Sequence, residues 1–171
     1  MFEGMTHTTW DDAAASAVEG IFDLALSSKT TKIDVLLADL RTKFDDFVDQ
    51  KFDSPDDGND SAVIICWATL GALSIEIASA RKKSLSVGQV TSTLIRKQRD
   101  YGHENIRRFG RQGLLVRCHD KVARLENLLS SNTKPSNESI EDTLLDIVGY
   151  SAIGIMWERS EFLLDLSEEI Q

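Results

Sequence analysis

The chain is poor in the residues that interrupt helices or cross-link loops. Its 171 residues include only two prolines and two cysteines, and aromatic residues make up 7%. So few prolines exclude a proline-rich linker or an extended recognition segment. Two cysteines, Cys66 and Cys118, sit inside helical patterns without metal-type spacing, which excludes a disulfide scaffold or a zinc knuckle. They read as reduced core thiols of a cytoplasmic protein. "MFEGMTHTTWDD" has neither a basic leader nor an apolar stretch, so no secretory signal is expected. No GxGxxG, Walker loop, GxSxG or HExxH occurs, and strand-like alternation and internal repeats are missing as well.

What remains is helical periodicity in one domain spanning 1–171, predicted as an all-α bundle of about five to six helices. The first is expected to start at a Thr9 cap and run through "WDDAAASAVEGIFDLALSS". The second spans about Thr31 to Phe52 on a stripe of Ile33, Leu36, Leu37, Leu40, Phe44 and Phe47. "DSPDDGND" is a loop, with Asp60 or Ser61 capping the third helix. Later helices are expected at about Gln89–Tyr101, at Leu114–Leu129, and from near Asn137 to Trp157, with Gly102, Gly110 and Gly113 punctuating the linking region. "SAVIICWATLGALSIEIASA", 61–80, is long enough to span a membrane. Glu76 and its several small or polar residues favour a central bundle helix instead, so no membrane is expected.

Charge is uneven. Residues 96–124 hold nine basic and three acidic side chains, about +6, within a chain of net −9. An acidic body with one basic stretch argues against direct DNA binding and for a local anion site, with phosphate the obvious candidate.

"ESIEDTLLDIVGY", 138–150, supplies the counterpart. Four-residue steps keep Glu138, Asp142 and Asp146 within roughly 80° of one another on a helix. On "HDKVARLENLL", Asp120, Arg124 and Asn127 form a polar stripe, with Lys121 at its edge. If the two helices are antiparallel neighbours, Asp120 faces Glu138, Asp142 and Asp146. Such a carboxylate group suits Mg²⁺ or Mn²⁺. Lys121 and Arg124 are then the catalytic cations that neutralise phosphate charge, helped by Lys97. They could equally be structural salt-bridge partners of Asp142 and Asp146. Glu76 is either a further wall of that site or a paired core carboxylate, and His119 reads as an ordinary helix residue. In "RKQRDYGHENIRRFGRQG", Tyr101 could stack a nucleobase, and His103 and Asn105 could hydrogen-bond base or sugar. Tyr101 and Phe109 could instead be core anchors.

"DYG", "VRCHDKVARLENL" and "EDTLLDIVGY", within 94–157, resemble the nucleotide modification associated domain type 1 family, proteins common in phages. That family is similar in layout to the all-α nucleotide pyrophosphatases of the MazG and dimeric dUTPase type. The resemblance implies a MazG-like four-helix core carrying Mg²⁺ on acidic helices. It implies cleavage of a (deoxy)nucleoside triphosphate to monophosphate and pyrophosphate. In place of the ExxE and ExxD of MazG-type enzymes, this chain has Asp120 and Glu126 on one helix and Glu138, Glu141, Asp142 and Asp146 on the next. Helices 9–83 lie outside the resemblance. A homodimer or homotetramer is expected, with the apolar third helix available for association. The rival expectations are a nucleotide-sequestering protein without turnover and a structural partner-binding bundle.

Overall fold

The structure is a computed structural model describing residues 6–26, 32–131 and 134–168. Among them seven helices and no strands occur: α1 (Trp10–Ala25), α2 (Ile33–Lys51), α3 (Ser61–Ala80), α4 (Val87–Tyr101), the single turn α5 (Glu104–Arg107), α6 (Gly110–Ser130) and α7 (Ile140–Glu158). The all-α bundle is as expected. The expected helix ends at Ser27, Ser28 and Thr31 lie outside the described residues.

Local chemistry explains the starts. Thr9 accepts a hydrogen bond from the Asp12 amide, Asp60 accepts from the amides of Ala62 and Val63, and Ser86 accepts from Gln89. Each satisfies amides that a first helical turn leaves unpaired. At α7 the sequence expectation needs correcting. Ser139 is the cap, and it forms a reciprocal capping box with Asp142. Glu138 therefore precedes the helix and does not share a helical face with Asp142 and Asp146. Gly102, at φ +63°, ends α4 in a conformation that side chains disfavour, and this sharp break lets α5 turn away.

α3 and α7 form the central pair, with α1 and α2 against α3, α6 against α7, and α4 across α1 and α7. α3 is long and apolar enough to cross a membrane, but its apolar residues are packed inside the chain: Trp67, Leu70 and Ile77 are fully buried. The face expected to serve association is thus largely covered, leaving Ile65 as its exposed large apolar side chain. On α2, Leu36, Leu40, Phe44 and Phe47 are buried as the stripe predicts, with Ile33 and Leu37 packed at its margin. After α7 the chain folds back over α1. Phe162 meets Trp10 edge-on, and the Trp10 amide donates to the Asp165 carbonyl at 2.8 Å.

Candidate functional site

Beside α7, under α4 and α5, lies a cavity of about 370 Å³. Its apolar walls are Val90 and Leu94 from α4 and Leu145 and Ile153 from α7. Gly149 lets α4 pack closely on α7 at the cavity's edge, because a Cβ there would sit 3.2 Å from Leu94 Cδ2. Three aromatic residues border it: Trp10, Tyr101 and Tyr150. Tyr101 is 66% exposed, so it stands at the rim and is not a core anchor. The polar lining comprises Thr93, Lys97, Gln98, Asn105, Arg117 and Asp146. Arg117 is held there by a 3.3 Å hydrogen bond to the Asn105 carbonyl. The Asn105 Oδ1 is buried and has no partner among the described residues, a cost that a hydrogen-bonding ligand could relieve once the amide turns toward it.

Along one margin runs a chain of charges. Lys97 Nζ donates to Asp146 Oδ1 at 2.7 Å, and Lys121 Nζ lies 2.7 Å from Asp146 Oδ2. Lys121 also reaches both Glu138 oxygens at 3.0 and 3.1 Å. Burial alone would push the Asp146 carboxyl up, but hydrogen bonds from Lys121 and Lys97 outweigh it and hold the group below the ordinary range. Lys121 is the mirror case. Burial would loosen its proton, while Asp146 and Glu138 hold it more firmly.

Of the residues expected from sequence, Lys97, Tyr101, Asn105 and Asp146 come together at this cavity, with Lys121 directly behind Asp146. The others do not. Arg124 donates to the Thr143 hydroxyl at 3.0 Å and to the Glu138 carbonyl at 2.5 Å, so it secures the entry to α7. Asp142 is occupied by the capping box, and Asp120 is exposed on α6. His103 contacts the Leu164 carbonyl at 3.1 Å and the Phe162 ring, holding the C-terminal segment instead of lining the cavity. Glu126 pairs with Arg41 and Glu141 with Arg81; His119 lies near the Phe44 ring; half-buried Glu76 is likewise engaged.

The residues expected as metal ligands, Asp120, Glu138, Asp142 and Asp146, are not gathered around one point. No three His, Cys, Asp or Glu side chains among the described residues form a group able to hold an ion. Glu138 and Asp146 present their oxygens to lysines, and a divalent ion needs those oxygens free.

Trp10, Gln98, Arg117 and Tyr150 were not singled out by sequence. Two of them carried a usable signal: Arg117 is one turn before Lys121, and Tyr150 one turn after Asp146. Comparisons with protein-family models, with curated proteins and with solved structures find no match.

Proposed function

We propose that the chain binds a nucleotide in the α4–α7 cavity. The base lies against the rings of Tyr101 and Tyr150, the Asn105 amide meets a polar group of base or sugar, and Lys97 and Arg117 take the phosphates. One observation carries this reading: a single cavity of about 370 Å³ brings together aromatic rings, a buried amide and two cationic side chains. That volume lies in the range of small-molecule sites, and the composition suits a ligand with one flat apolar part and one anionic part. Lys97 is about half exposed and can leave Asp146 for a phosphate, since Lys121 would still neutralise that carboxylate.

The second reading is hydrolysis to monophosphate and pyrophosphate, as the sequence resemblance implies. Asp146 at the cavity wall favours it, but its cation demand is already met by two lysines. Binding without turnover is therefore the function that the geometry supports better. Incubation with a panel of nucleoside triphosphates and Mg²⁺, followed by separation of bound and free species, tests the choice. The expected result is unchanged nucleotide retained near one per chain. Catalytic release of pyrophosphate would favour hydrolysis, and no retention of any nucleotide would remove both readings.

A further inference from the structure

The ammonium of Lys121 sits between two carboxylates that approach it from different parts of the chain. Glu138 comes from the segment before α7, Asp146 from the second turn of that helix, and Lys121 from α6. Its three contacts, at 2.7, 3.0 and 3.1 Å, are all carboxylate oxygens, which matches the three donors of an ammonium group. The side chains of Lys121 and Asp146 are only 20% and 15% exposed. Oxygen–metal distances for Mg²⁺ or Ca²⁺ run about 2.0–2.6 Å, so each carboxylate would need to move less than about 1 Å to grip an ion in place of the ammonium. With Lys97 on the far side of Asp146, two ammonium groups face two carboxylates. A divalent ion added to that balanced set would be repelled by both lysines.

We infer that Lys121 stands in for a divalent cation between Glu138 and Asp146, so that the cavity meets its ligand without a metal. This follows from the side chains alone, and its test is independent of the proposal that the ligand is a nucleotide. Two consequences follow, and the second separates a substituted cation from an ordinary salt bridge. The wild-type protein leaves Mn²⁺ unbound at this point. Removing the ammonium leaves two half-buried carboxylates close together, and Mn²⁺ becomes the cation that relieves their repulsion.

The experiment titrates Mn²⁺ alone, with free ion followed by electron paramagnetic resonance, into wild type, Lys121→Met, Lys121→Gln, Asp146→Asn and the double variant Lys121→Met with Asp146→Asn. Circular dichroism checks that each is folded, and the Gln variant serves if the Met variant is not. The expected result is no specific site in wild type, about one Mn²⁺ per chain at least tenfold tighter in the Lys121 variants, and loss of that site in the double variant. Specific Mn²⁺ binding by wild type that disappears in Asp146→Asn would overturn the inference. So would Lys121 variants that fold and gain no Mn²⁺ site.

Discussion

Arg111 Nε donates to Glu158 Oε1 at 2.8 Å, and the two side chains are 1% and 0% exposed. The guanidinium also donates to the Ser54 hydroxyl and the Pro55 carbonyl, while the Arg111 amide and the Trp157 indole both donate to Asp56. One buried ion pair thus fastens the 53–60 loop to the start of α6 and the end of α7. Removing Glu158 leaves the buried guanidinium only the longer carboxylate contact with Asp56, at 3.7 Å, and breaking a buried pair costs about 3–5 kcal/mol. Glu158→Leu is expected to lower stability by that amount in urea unfolding, and Arg111→Met combined with Glu158→Leu to recover much of it. Additive losses in the double variant would contradict this account.

Asp142 completes the capping box of α7, where the sequence suggested a metal ligand. Ser139→Ala should cost about 0.5–2 kcal/mol, the usual value of an N-cap side chain. Asp142→Asn should leave nucleotide affinity within about twofold, since its carboxylate faces Ser139. Thermal unfolding and a binding titration on the same samples check both statements.

Most helices were legible because an amphipathic repeat and a capping side chain can be read locally; Thr9 and Asp60 cap where expected. The errors fall where a tertiary or cap choice decided. The Ser139–Asp142 spacing was visible as a cap, and reading it that way would have removed Glu138 from the helix face. Arg111 looked like one more cation in a basic stretch, and its burial is explained by partners far along the chain, the Glu158 carboxylate 47 positions away and the 53–60 loop. The site was half legible for the same reason. Lys97, Tyr101 and Asn105 lie in one basic segment, whereas Trp10 reaches the cavity through packing that no local pattern encodes.

α7 passes close to α3 at Gly154, where an added Cβ would overlap the Trp67 indole, a fully buried ring. Gly154→Ala should therefore destabilise by about 1–3 kcal/mol through overpacking, although alanine is the better helix former. An unchanged or raised melting temperature would show that the two helices can separate at little cost.

Burial pushes the Cys118 thiol up to about 12 from an ordinary 9.0. The unfolded chain would ionise first, so this residue's contribution is complete below pH 9 and is lost as pH rises toward 12. At pH 8 a thiol reagent should titrate Cys66 slowly, since it too is partly buried with a raised value, and Cys118 only after unfolding. Rapid labelling of both thiols in the native protein would contradict the packing around α6.

In the proposed binding mode Lys97 and Arg117 hold the phosphates while the base lies elsewhere in the cavity. Calorimetric titration of a nucleoside and its triphosphate into wild type, Lys97→Ala and Arg117→Ala measures this directly. Charged hydrogen bonds of this kind contribute about 1.5–3 kcal/mol. Each variant should therefore weaken the triphosphate roughly 10- to 100-fold and leave the nucleoside unchanged. Equal weakening of both ligands, or a wild-type protein that binds neither, would contradict it.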